Sequence, residues 1–268
     1  IQIADSILKK LIANKKELTI EYAASNSAIP YFFIDDVLPE ELIEKANAVF
    51  PASDELHLKK SLKQNKYVSA QMNSHHPFLE ELLFAFQDKR IVKLIQEICS
   101  IESLIEADEN LYAGGISLMG KGCFLNPHLD NSHDAERSRW RALNLLFYIT
   151  PEWELEHGGN LELWPEGVKG DSIEILSRYN RLVVMSTHDS SWHSVNEVLV
   201  DKARKCISNY YFSLEPLKKH NEFHVTTFKG RPNQKLRTAI LNADSSLRMA
   251  IRKLFKKGIR KNPHIYKK

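Results

Sequence analysis

Hydrophobic and polar positions repeat with two different periods along this chain. Residues 1–22 and 76–100 place apolar and charged side chains at helical spacing, which predicts one amphipathic helix at the start and two helices in the second segment. Residues 30–50 predict a short aromatic strand and then a helix that starts near Pro39, with Asp36 as its cap. The first hundred residues are therefore expected to be mostly helical.

From about Tyr112 the pattern changes to short apolar segments separated by Gly, Pro, Asn and Asp. This pattern is typical of an antiparallel sandwich or barrel, with strands near 112–119, 141–150, 160–164, 173–176, 181–186, 192–198 and 204–214. After Pro216 the chain becomes polar and basic, and residues 243–259 favour a helix. We expect an α+β protein with a mainly β core, which divides into an N-terminal helix (1–24), a core domain with supporting helices (25–215) and a C-terminal basic helical extension (216–268).

Composition permits a substantial core and argues against several classes of protein. Of 268 residues, 43% are hydrophobic, and the longest apolar stretches are far shorter than the ~20 residues that cross a bilayer. Cys99, Cys123 and Cys206 lie far apart without CxxC spacing, which argues against a disulfide framework and against a zinc site built from cysteines. No charged and then apolar leader is visible. We therefore predict a soluble, cytoplasmic protein.

The segment NPHLDNSH (126–133) places His128 and Asp130 two residues apart. Two residues is the repeat of an extended strand, so both side chains leave the same face. His193, 63 residues after Asp130 on another predicted strand, supplies a third metal ligand. Two histidines and one carboxylate form the facial triad of non-haem Fe(II), which leaves positions open for a co-substrate and dioxygen. The alternatives are an Asp turn after Pro127 with a solvated histidine, and a strand histidine that only packs.

Arg204 lies on the next predicted strand. Alternation places four side chains on one face of this strand: Arg204, Cys206, Ser208 and Tyr210. An inward guanidinium needs an anionic partner, and a dicarboxylate co-substrate would provide one through a bidentate pair. Lys202 has the same parity but falls nearer the turn, so Arg204 is the preferred carboxylate ligand.

Three segments around these residues resemble the prolyl-4-hydroxylase-like group of the Fe(II)/2-oxoglutarate-dependent dioxygenase superfamily. Residues 142–167 resemble the segment between the HxD motif and the distal histidine, and residues 180–195 resemble the strand that bears that histidine. Residues 30–42 resemble the first strand and helix of the same group. The similarity extends over roughly residues 29–214. It implies a double-stranded β-helix, also called a jelly-roll or cupin-like fold.

The resemblance also implies a role for individual residues. It implies an iron site made of His128, Asp130 and His193. It places Arg204 on the distal carboxylate of 2-oxoglutarate, with Ser208 beside it and Tyr148 near the same co-substrate, although Tyr148 could instead only pack in the core. Many relatives have a co-substrate tyrosine about ten residues before the HxD motif, whereas this chain has Leu118. The implied cofactors are Fe(II), 2-oxoglutarate and O2, with ascorbate as a stimulant.

The predicted function is a dioxygenase that couples conversion of 2-oxoglutarate to succinate and CO2 with hydroxylation of an amino-acid residue or a small metabolite. A catalytically silent jelly-roll binding module is one alternative, which Leu118 leaves open. A zinc hydrolase that uses the same three ligands is the other, although it has no use for an inward arginine. Selectivity for the substrate is expected in residues 51–76, 131–140 and 216–240.

A net charge of +3 conceals a strongly basic tail, because residues 248–268 carry nine Lys and Arg and no acid. This predicts contact with an anionic partner or a membrane surface, and the alternative is a helix docked on the body with a solvated basic face. Arg137, Arg139 and Arg141 follow the predicted iron motif. They are expected either to bind an acidic substrate or to lie in a solvated loop.

Overall fold

The computed structural model combines a many-stranded sheet with helices and describes residues 2–25, 29–219, 222–255 and 266–267. The described helices are α1 (Gln2–Ala13), α2 (Lys15–Ala24), α3 (Glu40–Ala48), α4 (Pro77–Ala85), α5 (Lys89–Ile98) and α6 (Lys235–Leu254). The described strands are β1 (Tyr31–Ile34), β2 (His57–Lys60), β3 (Gln64–Ser69), β4 (Ile105–Ala107), β5 (Gly115–Met119), β6 (Phe124–Leu129), β7 (Trp140–Tyr148), β8 (Leu161–Leu163), β9 (Ile173–Ile175), β10 (Arg181–Ser186), β11 (His193–Val195), β12 (Arg204–Ser213) and β13 (Thr227–Phe228).

The N-terminal helices follow their apolar spacing, with two departures from the predicted bounds. The single helix predicted over 1–22 is two helices, because the Asn14 side-chain amide donates to the carbonyl of Lys10 at 2.8 Å and competes with the backbone ladder. Helix α3 begins at Glu40, as expected, but Asp36 does not cap it. Asp36 adopts a φ of 55°, and Pro39 occupies the cap position without a side-chain hydrogen bond.

All strands belong to one antiparallel, curled sheet in the order β1-β10-β7-β12-β5-β3-β6-β11-β8-β9. Strands β2, β4 and β13 pair with β3, β12 and β6, respectively. This arrangement confirms the predicted double-stranded β-helix with a mainly β core. Each predicted strand is present; β10 has the predicted bounds, and the other strands have shifted ends.

Several strands were missed, for reasons visible in their sequences. Strand β6 contains His128 of the HxD motif and also Pro127, a residue type that is uncommon inside sheets. The hairpin of β2 and β3 is rich in lysine and only half-buried, so it lacks the apolar alternation of a core strand. The expectation of a mostly helical first hundred residues overlooked this hairpin.

The main hydrophobic core lies between the helices and the outer face of the sheet. Helices α1, α4 and α5 contribute one side of it, including the fully buried Ile7, Leu83 and Ile95. Phe147 and Tyr211 of the central strands contribute the other side. Because the helices cover the outer face, the inner, concave face of the sheet is free to carry polar groups. No described helix is both long enough and apolar enough to cross a lipid bilayer.

Truncation of a core side chain on α5 tests this packing. Ile95 has no exposed surface, so Ile95→Ala is expected to lower the free energy of unfolding by about 2–5 kcal/mol through lost burial and a cavity. Lys93→Ala, on the exposed side of the same helix, should change it by less than about 0.5 kcal/mol. Urea denaturation followed by circular dichroism measures both, and equal effects of the two variants would contradict the assigned faces.

Candidate active site

Three metal-ligand side chains meet on neighbouring strands at the inner face of the sheet. His128 of β6 stands directly opposite His193 of β11 in the antiparallel register, and their ring centroids are 4.1 Å apart. Each carboxylate oxygen of Asp130 lies 3.7 Å from the Nε2 atom of one of these histidines. One ligand atom from each residue falls within 4.8 Å of the others, so the three side chains could hold a single metal ion.

Backbone carbonyls set the orientation of both imidazole rings. His128 Nδ1 lies 3.0 Å from the carbonyl oxygen of Asn126, and His193 Nδ1 lies 2.9 Å from that of Ser191. A carbonyl only accepts, so each Nδ1–H donates and each Nε2 keeps its lone pair for a metal. The Oδ2 atom of Asp130 is buried without a hydrogen-bond partner among the described residues, as expected for an oxygen that needs a cation.

Burial and neighbouring charges set the protonation states that a metal requires. Burial and the nearby His193 lower the pKa of His128 to about 3, so this imidazole is neutral at pH 7. Burial raises the pKa of Asp130, but the guanidinium of Arg141 and the two imidazoles more than offset this effect and hold the pKa below its usual range. Neutral imidazole and ionised carboxylate are the ligating forms of these groups.

Arg141 of β7 is the cation that stabilises the Asp130 carboxylate. Its side chain is 5% exposed, and its Nη1 lies 3.3 Å from Asp130 Oδ1. Nη2 donates to Oδ1 of Asn131 at 2.5 Å, and the guanidinium stacks over the ring of Tyr210. Arg141 is therefore neither a solvated loop residue nor free to bind an acidic substrate.

A β-bulge explains why the sequence did not single out Arg141. Asn144 and Arg141 both line the same cavity, although strict alternation would place them on opposite faces. The pairing of β7 with β12 shifts register between Tyr211 and Phe212, so that β7 carries an extra residue at Ala142. Such a bulge changes the alternation, so that Arg141, which precedes the extra residue, points to the same face as Asn144. The other two arginines of this group differ: Arg139 pairs with Glu106 at the surface, and Arg137 contacts α6.

Arg204 projects into the cavity from β12, and the side chains of Cys206, Ser208 and Tyr210 line the same space, as strand alternation predicted. Arg204 is 3% exposed, its Nε donates to the carbonyl of Gly159 at 2.7 Å, and its Nη1 is buried without an acceptor. An unpaired buried guanidinium nitrogen fits an anionic ligand such as a carboxylate.

The loop at Gly159 and the exposure of Lys202 both support Arg204 as the carboxylate ligand. A Cβ atom at Gly159, where φ is 67°, would lie 2.9 Å from Val198 and 3.2 Å from the Arg204 side chain. This position therefore requires glycine. Lys202 is about half exposed and lies 3.5 Å from Glu152, so it does not compete with Arg204.

Tyr148 and Leu118 lie outside the cavity wall. Tyr148 is fully buried, its ring lies 5.1 Å from the Arg204 guanidinium, and its hydroxyl has no hydrogen-bond partner among the described residues; its contact with the co-substrate stays a prediction. Leu118 packs into the main core, whereas Ser117 and Met119 line the cavity. The position where relatives have a co-substrate tyrosine therefore faces away from the site in this chain.

The cavity has a volume of about 970 Å³, and its wall combines segments that are distant in sequence. All three segments predicted to contain the selectivity elements contribute to it: Lys59 to Lys66 from 51–76, Asn131 from 131–140, and Phe223 to Phe228 from 216–240. Helix α6 adds Arg248, Ile251 and Arg252. A second groove of about 880 Å³, beside α5 and β4, contains none of the predicted iron-binding or co-substrate-binding residues, although Asp134, Ala135, Glu136 and Arg139 of the 131–140 segment line it.

Comparisons with known proteins agree with this geometry. Residues 114–212 match the model of the 2OG-Fe(II) oxygenase superfamily. The chain is 28% identical over 190 residues to Prolyl 3-hydroxylase OGFOD1 of Xenopus laevis, an alignment that covers 68% of this chain and 33% of that protein. The chain thus spans about a third of the length of this curated relative.

Two solved structures show the same fold. A Pseudomonas putida prolyl-4-hydroxylase superposes with a TM-score of 0.52 at 16% identity, over 74% of this chain and 99% of that one. An oxidoreductase of the 2OG-Fe(II) oxygenase family from Burkholderia pseudomallei gives a TM-score of 0.51 at 14% identity, over 74% and 91% of the two chains. Both likenesses support the double-stranded β-helix.

Removal of Arg141 tests its effect on the Asp130 carboxylate. In Arg141→Met, burial is no longer offset by the guanidinium, so the pKa of Asp130 rises. Protons then compete with a metal at higher pH. Mn(II) binding, followed by electron paramagnetic resonance, should therefore be lost at a higher pH on acidification than in the wild type. Arg139→Met, which removes a surface arginine, should leave the pH dependence unchanged. An identical pH dependence in Arg141→Met would contradict the assigned role.

Proposed function

We propose that this chain, which belongs to the 2OG-Fe(II) oxygenase superfamily, is an Fe(II)- and 2-oxoglutarate-dependent dioxygenase that hydroxylates its substrate. The observation that carries this proposal is the occurrence, in one cavity, of a His-Asp-His cluster and an arginine nitrogen without an acceptor. The first fits a divalent iron, and the second fits the free end of a dicarboxylate.

Each polar group of the site has a distinct task in this proposal. His128, Asp130 and His193 would hold iron from one side and leave its other positions open. Arg204 would bind the distal carboxylate of 2-oxoglutarate, with Ser208 lining the cavity on the same strand. Bound Fe(II), together with 2-oxoglutarate and O2, supplies oxidative decarboxylation to succinate and CO2 and the hydroxylation of a C–H bond.

Apolar side chains and fixed dipoles protect that chemistry from water. Leu125, Leu146, Leu161 and Val195 line the cavity among the polar groups. They limit the access of water, which strengthens the electrostatic interactions of Arg204 and Asp130. The carbonyl-bound imidazoles need no reorientation when a metal enters, so the site is preorganised.

The substrate class follows only in part. The curated relative is named a prolyl 3-hydroxylase, and one structural neighbour is a prolyl-4-hydroxylase, so a prolyl residue is the first substrate to test among amino-acid residues and small metabolites. The cytoplasmic location and the stimulation by ascorbate stay predictions.

The two alternatives fit the cavity less well. A zinc hydrolase gives no role to the buried Arg204 nitrogen that lacks an acceptor. A silent binding module does not require a preoriented His-Asp-His cluster or a buried arginine without an acceptor.

Uncoupled turnover tests the proposal. We expect the anaerobically purified protein, given Fe(II), ascorbate and 2-oxoglutarate and then exposed to air, to form succinate. His128→Ala should abolish the product, because one metal ligand is lost. Arg204→Met should raise the KM for 2-oxoglutarate roughly tenfold to a hundredfold, because a charge-assisted contact is lost. Lys202→Met, which removes the exposed neighbour, is the matched control and should behave like the wild type.

A binding measurement separates a strictly coupled enzyme from a protein without this activity. If succinate does not form without the true substrate, addition of 2-oxoglutarate should still perturb the absorption spectrum of the Fe(II)-loaded wild type, and Arg204→Met should weaken that effect. Absence of both succinate and the spectral change would refute the dioxygenase function and leave the binding module as the better explanation.

A further inference from the structure

Positive charge dominates the wall of the metal-site cavity. Among the described residues that line it, seven are basic and Asp130 alone is acidic; the basic ones are Lys59, Lys63, Lys66, Arg141, Arg204, Arg248 and Arg252. Arg141 pairs with Asp130, and Arg204 is assigned to the co-substrate. Lys63 and Arg248 share the carboxylate of Asp244. The three that remain have no carboxylate partner among the described residues.

Two of these three face each other on the hairpin of β2 and β3. Lys59 is directly opposite Lys66 in the register of the hairpin, and both side chains are half-buried. Like charges at directly opposed positions destabilise a sheet. Burial, with the nearby charges of Lys59 and Arg204, lowers the pKa of Lys66 to about 8. An anion placed between these two lysines would remove their repulsion and stabilise their charged forms.

The third cation, Arg252, stands on helix α6. Its Nε is buried and has no acceptor among the described residues. The Nη2 of Arg137 donates to the backbone carbonyl of Arg252 at 2.6 Å, and the Arg137 guanidinium stacks on the ring of Phe223. The Nε of Arg137 also lacks an acceptor. A second positive charge thus lies beside Arg252, and no carboxylate pairs with either arginine among the described residues.

Ion pairs hold the hairpin and the helix together at the cavity. Lys63, at the turn between β2 and β3, lies 2.7 Å from Asp244 of α6, and Asp244 lies 2.8 Å from Arg248 one turn later. Lys59, Lys66 and Arg252 therefore belong to a connected structure rather than to separate solvated surfaces.

The assigned cofactors do not compensate these charges. Fe(II), the Asp130 carboxylate and a dianionic 2-oxoglutarate together carry one negative charge, which Arg141 and Arg204 already outweigh. Lys59, Lys66 and Arg252 then stay without a counter-ion in a partly enclosed space, where electrostatic interactions are stronger than in water. An anionic group bound beside them would supply the missing negative charge.

We propose that the space between the β2–β3 hairpin and helix α6 binds an anionic group of the substrate, with carboxylate or phosphate oxygens held by Lys59, Lys66 and Arg252. The inference rests on the proposed function for the assignment of Arg204 to 2-oxoglutarate and for the description of this ligand as a substrate. The anion site itself requires no turnover. It also accounts for the basic charge of α6, because Arg248 and Arg252 line the cavity.

Calorimetric titration of the full chain loaded with Mn(II) and saturating 2-oxoglutarate tests the site. The anionic probes are phosphoserine and tetraglutamate, and the neutral counterparts are serine and tetraglutamine. We expect at least one anionic probe to bind and neither neutral probe to do so. The anionic probe that binds more tightly distinguishes a phosphate from a carboxylate as the natural group.

Three variants and one control assign the binding to these residues. Lys66→Gln and Arg252→Gln should each weaken the anionic probe about tenfold or more, since each removes a charge-assisted contact. Lys66→Arg should retain most of the affinity, because the charge remains. Arg178→Gln removes an exposed arginine that pairs with Asp35 outside the cavity and should have no effect. Circular dichroism verifies that each variant is folded.

Two results would overturn the proposal. These are failure of both anionic probes to bind in the presence of saturating 2-oxoglutarate, and an affinity that is unchanged in Lys66→Gln and Arg252→Gln. The function and the anion site can fail separately. Absence of both succinate and the 2-oxoglutarate spectral change, with probe binding that follows the expected pattern, refutes the dioxygenase and keeps the anion site, whereas succinate formation without probe binding does the reverse.

Discussion

The metal site depends on one buried carboxylate, Asp130, kept ionised between two imidazoles. Burial of an isolated carboxylate is costly and would favour its protonated form. The guanidinium of Arg141, 3.3 Å away, offsets that cost, and burial keeps His128 neutral. The remaining unpaired oxygen of Asp130 lies 3.7 Å from the Nε2 atom of His193. The ion pair with Arg141 keeps Asp130 in its ligating form, and the carbonyl-bound imidazoles direct their Nε2 atoms toward the same metal position.

The fold supports this balance by separating apolar from polar surfaces. Helices α4 and α5 pack against the outer face of the sheet, α1 packs on both of them, and the large apolar side chains are buried between these layers. The inner face can then carry His128, His193 and Arg204 without loss of the core. Departures from regular strand geometry occur beside the site: β7 bulges at Ala142, and Gly159 lies against Arg204. The bulge turns the Arg141 guanidinium to the inner face, against the alternation of a regular strand. The absence of a side chain at Gly159 leaves room for the Arg204 guanidinium.

Two parts of the chain that are distant in sequence complete the cavity. The hairpin of β2 and β3 and helix α6 meet through the Lys63–Asp244 ion pair, and each turns basic side chains toward the inner space. Part of the basic charge of the C-terminal segment therefore lies on α6, at the wall of the cavity. Lys256, Lys257 and the rest of the basic tail up to residue 265 lie outside the described residues. A role of that tail at a membrane surface stays a prediction.

The sequence by itself determined whatever depends on local periodicity. The two-residue spacing of His128 and Asp130 and the alternation along β12 correctly placed ligands and Arg204 on inward faces, because the direction of a side chain on a regular strand follows from residue parity. Tertiary structure decided the rest. Residue parity does not predict the direction of the Arg141 side chain, because a bulge adds one residue to β7. Leu118 packs in the core. Lys59, Lys66 and Arg252 share one cavity only because strand pairing and the docking of α6 bring distant segments together, and no local pattern encodes those contacts.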